Sequence, residues 1–516
     1  METLYKEKKI NKETLEKITS ILGFCIEFLM SVILIYSIYK ITIYKENQNI
    51  WNHKYILISI IPFVIVIANM IWNCKKGIFE KIIISFLIPV GMMYAFFLAP
   101  SYVPDEHAHI WKALEISQGK LITNIDENGD SLESIPAFFE DNRIPNIKRY
   151  GQFNDAIREK TDYNDLVEVE NPAKAYAPIL YIASAFAFWI AKVIGLNGIM
   201  AIYLARLFNF IIFLIFSYLA IKLIPAGKWI IATILFFPIT LQQAASISAD
   251  SILNSLSLFY VCYTLYICKK ADKISIWQKI MYIAIGIIIA ISKIVYIPLV
   301  GISLLLIGNK KISKKEKGIF ITISIVSAIL FGIFWFLFMQ KYAGSGDNTY
   351  NELNQVDLKG QIINIIKNPQ ILFTAIYNTI KDGLYLDSAI GNYMGWLNIE
   401  TAHIVIYTFI MLFILSPFLE KGEVEYSKWE KIWGVLIYVG TYLLIIFAAY
   451  LSWTTVGKDT VMGVQGRYFI PVIALPMLCL CSKERYLKFN NIKLIMPVIY
   501  LVLNVITIID IAKFFL

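Results

Sequence analysis

Charge is scarce in this 516-residue chain. Asp, Glu, Lys and Arg make up 16% of it, against 58% apolar residues. Soluble domains are more charged and less apolar, so an ordinary water-soluble globule is excluded. Cysteine is scarce as well. The six (Cys25, Cys74, Cys262, Cys268, Cys479, Cys481) lie in or beside apolar runs, with no disulfide framework and no zinc spacing. P-loop, G-x-G-x-x-G before a helix, G-x-S-x-G and H-E-x-x-H are all missing. Nothing soluble is large enough to bind ATP on the inside, which argues against an ATP-driven pump or a cytoplasmic nucleotide-sugar enzyme. Convincing internal repeats and low-complexity tracts are missing too.

What the chain has is apolar length. Mean hydropathy is +0.63. Uncharged runs of roughly 17–25 residues recur, the length a helix needs to cross a bilayer core. Backbone in lipid must bond to itself, so such runs read as helices. The alternating runs of about ten residues that mark a barrel are not seen. The net charge of +9 could point to nucleic acid in a soluble protein. Here the lysines cluster in short loops, which the positive-inside rule explains, and no nucleic-acid partner is expected.

The topology follows from those loops. Lys6, Lys8, Lys9, Lys12 and Lys17 place the N-terminus in the cytoplasm. The run from about Ile18 to Tyr44 is too long for a signal peptide and reads as a retained first helix. Further basic loops at Lys269–Lys279, Lys310–Lys317, Lys421–Lys431 and Lys483–Lys493 mark the same side. The expected division is 1–99 (N-terminus and three helices), 100–175 (large outer loop), 176–340 (transmembrane bundle), 341–401 (second outer loop) and 402–516 (C-terminal helices). Residues 101–175 hold 15 Asp/Glu against 8 Lys/Arg, as expected of an outer loop. In the second outer loop, apolar positions at helical spacing predict helices lying on the membrane surface. Residues 176–268 must start outside and end inside, yet four apolar runs occur there: Ala177–Val193, Ile199–Leu223, Ile230–Leu241 and Ile252–Ile267. One is therefore partial or re-entrant. The run Met281–Leu306 makes two short crossings or a re-entrant pair, with Ser292-Lys293 near the outer turn. The expectation is an all-α polytopic membrane protein with about 13 crossings, in the range 12–14, and membrane lipids as its surroundings.

Two of only four histidines fall in Pro104-Asp105-Glu106-His107-Ala108-His109, just outside the third helix. Asp105 is well placed to cap a helix over Glu106–Gln118, with Glu106 in its first turn. The same carboxylates could instead form a site at the membrane surface, one serving as general base. A third reading is a divalent cation, magnesium or manganese, held by Asp, Glu and the His107/His109 pair. Against it, the two rings of H-x-H on a helix point about 200° apart. Arginine is rare, with six in the chain. Arg467 sits in Gln465-Gly466-Arg467-Tyr468-Phe469, where an outer loop enters an apolar run. Its planar guanidinium suits a phosphate, or it is an interfacial anchor. Lys293 interrupts an apolar stretch, and Asp250 follows the polar cluster Gln242–Ser248. Each is either a site residue or half of a structural ion pair. Glu27, Arg206 and Asp510 also lie within apolar runs and read as structural charges. Trp396 is either an aromatic-belt residue or a site residue.

Pro104-Asp105-Glu106 with His109, Asp250, Gly395-Trp396-Leu397 and the Gln465–Phe469 turn together resemble a family of predicted bacterial membrane proteins, domain of unknown function 2142. The resemblance runs from about Ala95 to Leu480. His107 stands where that family often has proline. The layout is similar to the GT-C glycosyltransferases, which take sugars from polyprenyl-phosphate carriers on the outer face of the membrane. The resemblance implies Asp105, with Glu106 beside it, as catalytic acidic residues. It implies Arg467 and Lys293 on the donor phosphate. His109, His107, Asp250, Gln465, Tyr468 and Trp396 are substrate or metal candidates. Two helices precede the acidic loop that in GT-C enzymes usually follows the first, a departure from the pattern. The expected function is sugar transfer from a polyprenyl-phosphate donor to a surface glycan, lipid or protein acceptor. The place is the bacterial plasma membrane, with the active face outside. Alternatives are a transporter or flippase of lipid-linked sugars, and a polysaccharide polymerase or ligase.

Overall fold

A computed structural model describes residues 2–48, 53–123, 132–140, 156–342, 355–383, 385–484 and 487–516. Parts of the two expected outer loops, 124–131, 141–155 and 343–354, lie outside the described residues. The chain is a multi-pass, all-helical membrane protein. Eight of its described helices are long and apolar enough to span a bilayer. They are α1 (Glu2–Gln48), α2 (His53–Lys76), α3 (Phe79–Phe97), α6 (Gly198–Leu223), α9 (Ala249–Lys269), α12 (Lys314–Tyr342), α17 (Lys428–Ser452) and α19 (Ile492–Phe515). Between them come α4 (Glu106–Ser117), α5 (Ile182–Val193), α7 (Lys228–Leu235), α8 (Pro238–Ala244), α10 (Ile276–Ser292) and α11 (Ile297–Val300). Later come α13 (Leu358–Lys367), α14 (Gln370–Asp382), α15 (Leu386–Ile390), α16 (His403–Leu415) and α18 (Ala474–Leu478). Among the described residues, strand pairing is confined to β1 (Leu132–Pro136) with β2 (Leu166–Glu170), and β3 (Tyr393–Met394) with β4 (Ile399–Glu400).

Polar bonds between distant loops define two faces. On the lysine-rich face, Glu420 accepts from Gly227 N at 2.7 Å. Lys269 pairs with Glu430 at 2.6 Å, and Lys493 reaches Gly77 O at 3.1 Å. On the face carrying the acidic loop, Lys293 meets Asp250, and Ala402 N donates to Asp510 at 3.0 Å. Gln361 there donates to Tyr450 O at 3.1 Å. Five shorter or broken passages also run between these faces: 228–244, Ile276–Ser292, Ile294–Gly308, 403–418 and 466–478. The sequence predicts about 13 crossings; eight described helices are long and apolar enough to cross by themselves.

The surplus run in 176–268 is Ala177–Val193. Both of its ends are bonded within the acidic-loop face. Tyr181 Oη meets His109 Nδ1 at 2.6 Å, and Leu196 O, beyond the other end, accepts from Tyr163 at 2.9 Å. The run Ile230–Leu241 does pass between the faces, in two pieces. Pro238 lacks an N–H and forces the preceding residue out of helical geometry, so α7 stops before it and α8 starts on it. The Phe236 carbonyl at this break accepts from Asn504 Nδ2 at 3.1 Å, on α19. That bond is what allows a broken helix away from water.

The N-terminal helices are joined by one buried carboxylate. Glu27 on α1 accepts from Ser85 Oγ on α3 at 2.7 Å and from Asn69 Nδ2 on α2. The second loop carries the helices α13 and α14. On α13 and α14, Leu358, Ile362, Ile366, Phe373 and Tyr377 remain exposed, an apolar stripe of the kind that lies in a membrane interface.

The two faces give a direct expectation. An impermeant thiol reagent added from one side of sealed vesicles modifies Lys120→Cys or Lys421→Cys, never both. Modification of both from one side would refute this path of the chain.

Candidate functional site

The site starts at the end of α3. Leu98 and Ala99 leave helical geometry, and their carbonyls need partners. Arg206, fully buried on α6, supplies them. Its Nη1 donates to Ala95 O at 2.9 Å and Leu98 O at 2.7 Å, and its Nη2 donates to Ala99 O at 3.0 Å. The remaining N–H groups take both oxygens of Glu106, at 2.8 and 2.5 Å. All five guanidinium donors are thereby used. Glu106 Oε1 also accepts from Ile247 N at 3.0 Å. Glu106 is therefore a buried counter-ion that ties α3, α4, α6 and the turn before α9 together. Both of its oxygens are held by Arg206 in a fully buried pair, and the geometry assigns it a structural role in place of the expected catalytic one.

Asp105, its neighbour, does the opposite. It precedes α4 but makes no side-chain cap, and its φ is +64°. Such a backbone costs on the order of 1–3 kcal/mol outside glycine and tends to occur at functional sites. The side chain is 54% exposed and turns to Arg467, with Oδ2 2.9 Å from Nη2. Arg467 Nη1 also donates to Pro104 O at 3.3 Å. Behind it, Arg467 Nε lies 3.7 Å from Asp250 Oδ2. Asp250 Oδ1 accepts from Lys293 Nζ at 2.7 Å. The four charges suggested by the sequence thus form one alternating chain: Asp105, Arg467, Asp250, Lys293. They come from the α4 entry, the turn before α18, the first turn of α9 and the end of α10.

Tyr468 lies under both cations, 4.8 Å from Lys293 and 5.4 Å from Arg467 to its ring centre. Such cation–π contacts hold charge in place of water. Tyr296 Oη donates to Tyr468 O at 2.8 Å, which fixes that turn. Gly466 explains the motif's glycine. A Cβ there would lie 2.2 Å from Ala389 N, so only glycine lets the Arg467 turn meet α15.

The histidines separate, as their spacing requires. His107 stacks on Trp396 at 5.9 Å, and Trp396 Nε1 donates to Ser101 O at 3.0 Å. Trp396 thus braces the α3–α4 turn. His109 faces the other way, buried against Tyr181 and Tyr176. Burial pushes His109 down to about 4, outweighing the pull of Asp105 and Asp250, so it is neutral at physiological pH. Among the described residues, no group of three or more His, Cys, Asp or Glu side chains could hold a metal ion. Both aspartates are engaged by cations and the imidazoles diverge, so the expected divalent-cation donor set does not form.

Beside Arg467 is a cavity of about 340 Å³. Its wall includes Pro104, Gln465, Gly466 and residues from the 382–397 segment. Several of these, including Tyr385 and Asp387, were not picked out from the sequence. Nothing in a polar loop with ordinary tyrosines distinguishes them. Tyr176 and Tyr181 carry no sequence signal either, in a chain that is 15% aromatic.

A second buried polar group holds α4 to the hairpin. Lys112 on α4 pairs with Glu115 at 2.9 Å and with Glu133 on β1 at 3.5 Å. Thr123 and Asn171 complete it. Burial, then repulsion from Glu115, raises Glu133 to about 7.

A family model for predicted membrane proteins (DUF2142) matches residues 88–476, well over half of the chain. That span contains every charged member of the site and omits α1 and α2. No curated protein and no solved structure matches the chain.

Two outcomes follow. Glu106→Gln strands a buried guanidinium, which costs about 3–5 kcal/mol. A large fall in melting temperature in detergent is expected, and an unchanged value would contradict the assigned role. For Glu133, the folded-state value lies above the ordinary 4.5. Its contribution is complete below about 4.5 and is lost as pH rises towards 7. The melting temperature of Glu133→Gln relative to wild type should therefore climb across that window. A pH-independent difference would show that Glu133 does not titrate there.

Proposed function

The chain belongs to the DUF2142 family of predicted membrane proteins, and we propose that it is a membrane glycosyltransferase. It would move a sugar from a polyprenyl-phosphate donor to a glycan, lipid or protein acceptor. In this reading the lysine-rich face lies in the cytoplasm of a bacterial cell and the acidic-loop face lies outside. One observation carries the reading: Asp105, half-exposed on a strained turn, is held 2.9 Å from Arg467, and Asp250 and Lys293 continue the charge chain behind it.

The chemistry divides as follows. The acceptor hydroxyl attacks the anomeric carbon while the carbon–oxygen bond to the donor phosphate breaks. The electron pair leaves with the polyprenyl phosphate, and the hydroxyl proton passes to Asp105. Arg467 and Lys293 offset the charge on the leaving phosphate, and Asp250 keeps the two cations apart and oriented. The planar fork of Arg467 suits phosphate oxygens in a way that lysine does not. Because the donor is already activated, no nucleotide site is required.

Asp105→Asn and Arg467→Ala should each lower transfer from a polyprenyl-phosphate sugar in reconstituted vesicles. A fall of about 10²–10⁴-fold is expected for loss of a general base. Arg467→Lys should recover little. Full activity in both first variants would sink the mechanism. Movement of the intact lipid-linked sugar across the vesicle without bond cleavage would replace transfer with transport.

A further inference from the structure

We propose that the cavity beside Arg467 binds a neutral, hydroxyl-rich sugar ring and rejects anionic sugars. Resting on the transfer reading above, this makes the cavity the acceptor pocket and fixes the class of acceptor.

Size is the first argument. At about 340 Å³ the cavity sits at the lower end of the roughly 300–1,000 Å³ range of small-molecule pockets. It suits a sugar ring and is too small for a polyprenyl tail.

The wall chemistry is the second. Asp382, Asp387, Ser388, Asn392 and Gln465 offer carboxylate, hydroxyl and amide groups. These are the groups that orient hydroxyls. Tyr385 and Tyr393 add flat apolar faces. Two polar atoms on wall residues, Ser388 Oγ and Gln465 Oε1, are buried and have no hydrogen-bond partner among the described residues. Buried polar atoms without partners call for an explanation, and a ligand is one.

Asp382 supplies the third argument. It is the last residue of α14. A carboxylate at a helix C-terminus opposes the helix dipole, so this position is unfavourable for the fold. No hydrogen bond or ion pair engages its side chain among the described residues. Backbone strain gathers on the same wall. Tyr385 and Leu397, with φ of +55° and +60°, both line the cavity.

Charge sets the selectivity. Among the described residues, the cavity's one cationic wall residue is Arg467, already paired with Asp105, while Asp382 and Asp387 present two carboxylates. A phosphorylated or uronic sugar would meet net negative charge. Pro104 and Arg467 are part of the wall, and Arg467 holds the carboxylate of Asp105, the proposed base, at 2.9 Å.

The test uses saturation-transfer NMR on the full chain in lipid nanodiscs. The probes are methyl glycosides of glucose, galactose and mannose, N-acetylglucosamine, glucuronate and glucose 6-phosphate. At least one neutral probe should bind saturably, and at least tenfold more weakly to Tyr393→Ala and to Asp382→Ala. The two anionic probes should bind at least tenfold more weakly than that neutral probe to the wild type. Binding of no neutral probe, unchanged binding in both variants, or stronger binding of an anionic sugar would overturn the proposal. Asp105→Asn separates it from the transfer reading. That variant should lose transfer and keep glycoside binding. Retained transfer with intact glycoside binding would defeat the mechanism while leaving the pocket standing.

Discussion

The pair Glu106–Arg206 is the contact on which the acidic-loop face depends. It is buried completely and consumes every donor of one guanidinium. Through it, the end of α3, the start of α4, the middle of α6 and the turn before α9 share one joint. Burying two charges is expensive, and replacing such a pair by apolar residues is often no less stable. Such a pair gives a fixed geometry in return. Here it sets the position of the preceding residue, Asp105, to within a bond's swing. Two adjacent carboxylates thus divide the work, one holding and the other presented.

The four-membered charge chain works by a different rule. Asp105, Arg467, Asp250 and Lys293 alternate in sign and sum to zero, so the assembly tolerates partial burial. Its exposure is graded. Asp105 is open, Lys293 is partly covered, and Arg467 and Asp250 are enclosed. In the proposed transfer reaction, a phosphate arriving at the cations would compete with both aspartates, favouring release of the Asp105 carboxylate. Under that proposal the base would be freed by the same event that delivers the donor.

Much of this was legible in the sequence because charge is rare there. Lys293 stood out as an interruption of an apolar run, and Asp250 and Arg467 as charges at the edges of such runs, where lipid tolerates them only if they meet partners. Asp105 stood out by position. Glu106 could not be told from Asp105 in advance, since what separates them is an arginine 100 residues later. The path of 176–268 needed contacts as well as hydropathy. Ala177–Val193 is apolar enough to cross yet has both ends bonded on one face, whereas Ile230–Leu241 crosses despite its proline. The cavity wall at 382–397 was invisible, because a polar loop with tyrosines resembles many others.

The distribution of the site along the chain carries a consequence for its birth. A membrane protein is threaded into lipid as it is synthesised, N-terminal part first. Arg206 enters the bilayer when Glu106 is already waiting at its surface, so that joint can close at once. Asp250 is followed by Lys293 within two helices, and these also neutralise each other early. Arg467 comes last, when both aspartates are in place and one of them, Asp105, is still unmatched. No cation of the site has to wait in the membrane for a partner not yet made. The order of the charges along the gene is therefore also a safe order of assembly.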